Sequence, residues 1–508
     1  MMNMNNNNSI LLFLIVILLN FIISIKAINT NYIVAIRRKK SDKNYDHESL
    51  EVQRKIDELV NDRMNDIYEI IEDNNETYIL ENGEMDGKLE ELENEKVKFR
   101  KRSFNKTKLL FKENRRSNYV KVLNKRSFDI SQLNNNSTEE YIPIESKLVS
   151  HICPVSNYYT VKVYLSEETK DIVCKLENVI FCEEDKLLEL NMAIQNQDKN
   201  KRSNFKSTSN TNSNIYYNIN SIKNETNWSG VSVQSFPYSP NHLALLSQSA
   251  YTNMNKDFDN NFYYPSSAGK GIDMYFVDVG LNANHNDFDT SERTVSCDAV
   301  VTEYGTYITS DEEKLNCAAK EGNPSHGTMV SSVGAGSIFG VSKKANIHMI
   351  AVDLTSSSLL SSFDFIINNA KYPHKTVISV SLGDNGYSEA KNNKLTDLIE
   401  AGFIMFVGAG NEYMNACASK DSGKFITYAG YRKAIVVGAI DTNVYGNGYY
   451  KASYSNFGDC IDIFGPGSVT CAYPFNGSRD DYRLSSGTSC SSPFVAGVAA
   501  SILSEHPD

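Results

Sequence analysis

Hydrophobic positions recur along this chain with two different periods, and the changes of period mark its divisions. Tyr32-Ile33-Val34-Ala35-Ile36 reads as a short strand. A highly charged tract with few aromatics follows, to about Glu145. Within it Ile56, Leu59, Val60, Met64 and Ile67 fall at helical spacing, but the composition is that of a segment unable to bury enough apolar surface to offset chain entropy. Residues 41–145 are therefore expected to be a mostly disordered insertion. Alternation returns at Tyr158 to Tyr164, Ser166-Glu167-Glu168-Thr169 opens an amphipathic helix through Val173 and Leu176, and Val179 to Cys182 reads as a strand. Strand, helix and strand make half of a small α/β sandwich. Residues 196–235 are rich in Asn, Ser and Thr, which predicts a linker.

From about Phe236 glycine recurs, and short apolar runs alternate with helical patterns. Strands are predicted at Ile272–Asp278, Ile347–Val352, Val377–Ser381, Phe403–Val407 and Ile435–Ala439. Helices should begin near His326, Leu359 and Ser388, and the apolar run Phe494–Leu503 makes a further one. Strands alternating with helices of this length predict an α/β domain, a parallel sheet with helices on both faces. Function is then expected at the carboxyl ends of the strands.

Charge changes the picture in one respect. The 508 residues carry 51 basic and 62 acidic side chains, a formal net charge of −11. Residues 41–100 alone hold 19 acidic against 8 basic residues, so the remainder is neutral as a whole and no nucleic acid partner is expected. Ile10 to Leu19 is an unbroken apolar run, shorter than the about 20 residues of a membrane span, and predicts a signal peptide over residues 1–27. An uncleaved anchor is the alternative. Secretion is the implied localisation, with no membrane association once the signal is removed, and acceptor triplets such as Asn476-Gly477-Ser478 fit a glycoprotein. Nine cysteines without close-set pairs argue against a metal site and for disulfides, with at least one thiol left over.

Three motifs stand where chemistry is expected. Asp278-Val279-Gly280 ends a strand, His326-Gly327-Thr328 opens a helix, and Gly487-Thr488-Ser489 leads into another. A serine at a helix amino terminus has unpaired N–H groups and the positive dipole end beside it. It needs a histidine to remove its proton and a carboxylate to fix the imidazole tautomer. Each piece alone is commonplace, an N-cap, a structural histidine and a turn. Together, in the chain order Asp, His, Ser, they are not.

These motifs resemble those of the subtilisin-like serine proteases, nearest the proteinase K branch. The likeness covers about residues 236–508 and includes Asn284-His285-Asn286-Asp287-Phe288, Val380-Ser381-Leu382-Gly383, Gly408-Ala409-Gly410-Asn411 and Ser455-Asn456-Phe457-Gly458. It implies a serine endopeptidase in which Asp278 orients, His326 is general base and then acid, Ser489 is the nucleophile and Asn411 donates to the oxyanion. Ser381, Leu382, Gly383, Ala409 and Gly410 would line the substrate cleft, the first three pairing with a peptide as an added strand. Val279, Met329 and Cys490-Ser491 depart from the usual neighbours without removing a catalytic group, and the stop at Asp508 is earlier than in most members.

Upstream, Tyr164-Leu165-Ser166-Glu167-Glu168-Thr169 to Phe181-Cys182-Glu183-Glu184-Asp185 resembles the second half of the family's inhibitory propeptide and Tyr32 to Ile36 its first strand, which implies a propeptide over residues 28–195; the partners implied are polypeptide substrates and the chain's own propeptide, in a monomeric zymogen. Glu189 to Gln195 would run through the cleft until cut. No cofactor is required; structural calcium occurs in relatives, although the sequence shows no dedicated calcium loop. The resemblance also implies a Cys417–Cys460 bridge, with Cys297–Cys317 closing a loop before His326. The alternatives are an inactive peptide-binding pseudoprotease and a secreted adhesion or scaffold protein.

Overall fold

The computed structural model describes residues 29–37, 50–80, 82–92, 94, 107–112, 140–190, 217–235, 241–247, 261–319, 324–442 and 449–506. The expected signal peptide and residues 196–216 of the expected linker lie outside them.

The N-terminal unit runs β1 (Thr30–Ile36), α1 (Leu50–Asp73), β2 (Val149–Val155), β3 (Tyr158–Leu165), α2 (Glu167–Val173) and β4 (Val179–Glu184). Its sheet is antiparallel throughout, in the order β2-β3-β1-β4, which is a split β-α-β unit. The pleat decides the two faces. Tyr32, Val34 and Ile36 pack with Val60, Met64 and Ile67 of α1 and Val173 of α2, whereas Ile33 and Ala35 point the other way.

The expectation of a mostly disordered insertion over residues 41–145 is corrected for its described residues. Leu50–Asp73 is a helix in the middle of the core, and Tyr78, Leu89 and Leu92 are buried beyond it. Strands Thr107–Phe111 and Glu140–Ile144 pair in parallel. Asn61 and Asn65, one helical turn apart, hold Leu109 and Phe111 as a sheet edge would. Composition averages over a segment, and a single apolar stripe at helical spacing is enough to dock it, with the charges outward. The linker expectation is corrected likewise for residues 217–235, the part of 196–235 that is described. Ile219–Thr226 is a helix capped by Asn218, and Val231–Ser235 pairs with Asn261–Pro265, so the larger unit gathers residues before 236.

That larger unit is built on an eight-stranded sheet. Its strands are β6 (Asp273–Asp278), β7 (Val295–Thr302), β8 (Gly305–Ile308), β9 (Asn346–Val352), β10 (Thr376–Val380), β12 (Ile404–Gly408), β13 (Ile435–Ile440) and β14 (Ile463–Pro466), in the order β8-β7-β9-β6-β10-β12-β13-β14. All run parallel except β8, and all five strands expected from the sequence are present. Alternate residues of β6 serve opposite faces. Met274 and Phe276 pack under α3 (Ser325–Ala335) and α6 (Thr488–Glu505). Tyr275 and Val277 pack under α4 (Ser356–Asn369) and α5 (Glu389–Glu400).

The two units meet on α4 and α5. Ile33, Ala35, Ile152, Cys153 and Tyr158 pack against Leu360 and Ala390. Glu183 accepts from the Ser388 hydroxyl and the N–H groups of Glu389 and Ala390, while Asp185 accepts from the N–H and hydroxyl of Ser357. Each carboxyl thereby caps a helix amino terminus of the larger unit. Lys394 Nζ donates to Pro154 O at 2.9 Å, and Ser156 donates twice to Asp397. Beyond β4 the chain continues into β5 (Glu189–Leu190), which pairs antiparallel with β11 (Leu382–Gly383).

Candidate active site

Each of the three motifs that carry Asp278, His326 and Ser489 lies at the carboxyl end of a strand or the start of a helix. Asp278 is the last residue of β6 and is fully buried. His326, the second residue of α3, faces it, with Nδ1 at 2.8 and 2.9 Å from the two carboxylate oxygens. This geometry places the proton on Nδ1 and leaves Nε2 as an acceptor. Glycine makes the approach possible: a Cβ at residue 327 would stand 1.9 Å from Gly280 O.

The second half of the site forms around the start of α6. Gly487 precedes it at φ 144°, a conformation that side chains rarely adopt. Ser489 is the second residue of α6 and is fully buried. Its carbonyl accepts from the Ser381 hydroxyl at 3.2 Å. Thr488 N–H donates to Asn411 Oδ1 at 2.9 Å, and Thr488 Oγ1 accepts from Gly410 N–H at 3.1 Å. Among the described residues, neither Asn411 Nδ2 nor His326 Nε2 has a hydrogen-bond partner. Buried polar atoms left open in this manner call for an explanation, and a catalytic role is one.

The two halves are brought together by packing between α3 and α6. A Cβ at Gly497 would stand 2.5 Å from Gly334 O, so the helices touch backbone to backbone there. His326 and Ser489 precede those two glycines by the same number of residues along their helices.

Ser381, Leu382 and Gly383 follow β10, and Ala409 and Gly410 follow β12. Leu188 N–H donates to Leu354 O at 2.7 Å, and β5 pairs with Leu382 and Gly383, so the tail of the N-terminal unit lies as a strand between the segments that follow β9 and β10. Leu188 is buried in the core cluster of the larger unit; Leu187 is exposed. A cavity of about 450 Å³ runs alongside, bordered by Lys186, Glu189, Gly383, Asp384, Gly410 and Glu412.

Several participants were not picked out from the sequence. Thr488 and Asn456 stand inside motifs that were, but their hydrogen bonds join segments distant in the chain. Glu183 and Asp185 stand in the stretch that resembles the propeptide but were given no role there, and Glu412 had no local signal. Of the disulfides, Cys297–Cys317 and Cys417–Cys460 are formed as expected, Cys174–Cys182 was not foreseen, and Cys153, Cys471 and Cys490 are buried free thiols. Among the described residues no cluster of three His, Cys, Asp or Glu is arranged for a metal, and no helix is long and apolar enough to cross a membrane.

The parallel sheet, its helices on both faces and the placement of these motifs define a subtilisin-like α/β domain. Residues 269–508 match the model of the subtilase family, and this part of the chain is a domain of that family. Among similar proteins, the "Subtilisin-like serine protease Pen ch 13.0101" of Penicillium rubens is 33% identical over 252 residues, 48% of this chain and 55% of that protein. The "Subtilisin-like protease 7" of Arthroderma gypseum is 32% identical over 250 residues, 48% of this chain and 54% of that protein. The chain thus spans about half the length of the curated relatives it matches. A crystal structure of a cold adapted subtilisin-like serine proteinase is similar over 52% of this chain and 85% of its own, with 29% identity and a TM-score of 0.41.

Proposed function

We propose that this chain is the zymogen of a secreted serine endopeptidase, and that residues 28–195 are its inhibitory propeptide. The observation that carries the reading is the Asp278–His326 hydrogen bond beside a helix that carries Ser489 in its first turn. In the proposed reaction Ser489 Oγ attacks the scissile carbonyl while its proton passes to His326 Nε2. Asp278 holds the Nδ1–H tautomer and stabilises the imidazolium. The resulting oxyanion takes hydrogen bonds from Asn411 Nδ2 and the Ser489 N–H. His326 then gives its proton to the leaving amine, and water repeats the sequence on the acyl-enzyme, restoring Ser489.

The zymogen reading is supported by the tail of the N-terminal unit, which occupies the cleft as an extended strand paired with Leu382 and Gly383, in the manner proposed for a substrate. Tethering gives it a high effective concentration there. A first, intramolecular cut is expected near Glu189 to Gln195, and cleavage at Lys201-Arg202 would require a separate protease.

A fluorophosphonate probe tests the catalytic assignment, since it reacts with an activated serine. It should label the released enzyme and not the Ser489→Ala protein. Purified Ser489→Ala zymogen should stay full length, whereas the unmutated zymogen should release a fragment beginning between Leu190 and Asp198. Processing of the Ser489→Ala protein in a protease-free preparation would overturn the autocatalytic reading. An unlabelled but peptide-binding wild type would leave a pseudoprotease.

A further inference from the structure

Asn411 is held from two directions, and only one of them comes from the nucleophile's helix. Thr488 fixes its side-chain oxygen, but the position of its backbone depends on the loop 409–414 that follows β12. That loop is bound to the segment 454–460. Tyr413 N–H donates to Tyr454 O, Phe457 N–H to Met414 O and Ala416 N–H to Phe457 O, at 2.9–3.0 Å. The Cys417–Cys460 bridge closes the far end.

At the centre of this seam is Asn456, which is fully buried. Its backbone N–H donates to Gly410 O at 3.1 Å. Its side-chain Nδ2 donates to Ala409 O at 2.8 Å and to Glu412 Oε2 at 2.6 Å, and its Oδ1 accepts from Met414 N–H at 2.8 Å. One residue therefore bonds both residues before Asn411, the residue after it, and Met414. Both donor hydrogens of the amide are used, along with its acceptor. Aspartate would set an acceptor against Ala409 O and Glu412, and serine would not reach both sides of the loop. Gly410 fits the same arrangement: it lies at φ 96°, and a Cβ there would stand 2.4 Å from Asn456 Nδ2.

We propose that Asn456 is a positioning residue that fixes the oxyanion donor Asn411 through the loop 409–414. The proposal rests on the reading of Asn411 as that donor. An interaction made only as charge develops is lost when its donor is displaced, and an ångström of misplacement costs on the order of 10²-fold in rate. Asn456 does not itself touch the reacting atoms, so its removal should act on kcat and leave KM nearly unchanged.

The test is a double-mutant cycle on the released enzyme, with active-site titration by a fluorophosphonate to count folded sites. Asn456→Ala should lower kcat at least about tenfold with KM within about twofold. In an Asn411→Ala background the same substitution should change kcat by less than about twofold, because the donor it positions is already gone. Asn456→Asp keeps the volume and the bond from Met414. It serves as the second variant if the alanine protein does not fold, and it should follow the same pattern. An equal fall in both backgrounds, or no fall in the first, would overturn the proposal. An Asn411→Ala enzyme with unchanged kcat would instead remove the oxyanion assignment, and the positioning role with it.

Discussion

Gly327→Ala is the smallest change that should separate catalysis from folding in this protein. The new Cβ would lie 1.9 Å from Gly280 O and 2.9 Å from Met349 Cε. The methionine tip can move aside, but the carbonyl is main chain in the segment Gly280–Asn282, which pairs with Asn316–Ala318. To reach the ~3.3 Å of an ordinary C–H···O contact, α3 must retreat by roughly 1.4 Å. His326 is the adjacent residue, and Asp278 lies on the strand that leads into Gly280. A retreat of that size takes the 2.8 Å Nδ1–carboxylate bond out of hydrogen-bonding range. Overpacking should cost about 1–3 kcal/mol of stability. Activity should fall much further, by about 10²-fold for misplacement and toward ~10⁴-fold if the imidazole loses its tautomer. The assay is kcat/KM on a chromogenic peptide anilide, corrected by active-site titration and set beside a melting curve. Ile347→Val, in the same core cluster but away from the site, gives a comparator that loses about 0.5–1.5 kcal/mol and should keep its activity. Wild-type kcat/KM in Gly327→Ala would refute the reasoning.

Three further outcomes can be checked directly. Asn411→Ala should lower kcat by about 10²–10³-fold with KM little changed, a magnitude borrowed from removal of the equivalent donor in a subtilisin and not worked from this structure; stopped-time hydrolysis assays would measure it. At the interface, Glu183→Ala leaves the donors of Ser388, Glu389 and Ala390 without their partner and should weaken the proposed inhibition by the N-terminal unit by about 0.5–2 kcal/mol. Burial already pushes the Glu183 carboxyl above its usual range despite those bonds, so Glu183→Gln, which keeps an acceptor, should lose less, as a comparison of inhibition constants would show. Burial alone would lower the His348 pKa, but hydrogen bonds and charge from Asp273 and Asp298 raise it to about 9. The raised value means that this stabilisation is complete below about pH 6.5 and is lost as pH rises through about 9; His348→Gln should flatten the melting temperature over that window.

Local patterning was sufficient for the elements that meet the core on both faces. The five expected strands are mostly apolar because helices cover both sides of the sheet, and their ends fell within a residue or two of the observed ones. The strands Val295–Thr302 and Ile463–Pro466 were not foreseen. Ser296 and Asp298 interrupt the first, and the second lies at the sheet edge with Ile463 and Phe464 partly exposed, so neither shows the signal of a fully buried strand.

The sequence by itself determined which groups are available for chemistry and on which kind of element each stands, because a strand end, a helix start and a glycine are local properties of the chain. Only the tertiary structure decided how they meet. Asp278 and His326 are 48 positions apart and Asn411 and Thr488 are 77 apart, and their contacts exist because sheet order and helix packing carry them to one edge. The same holds for the charged tract after β1. Its composition argued for disorder, but burial is settled by whether a complementary surface is present. The apolar stripe of α1 found one in the sheet formed by β1 and residues more than a hundred positions downstream.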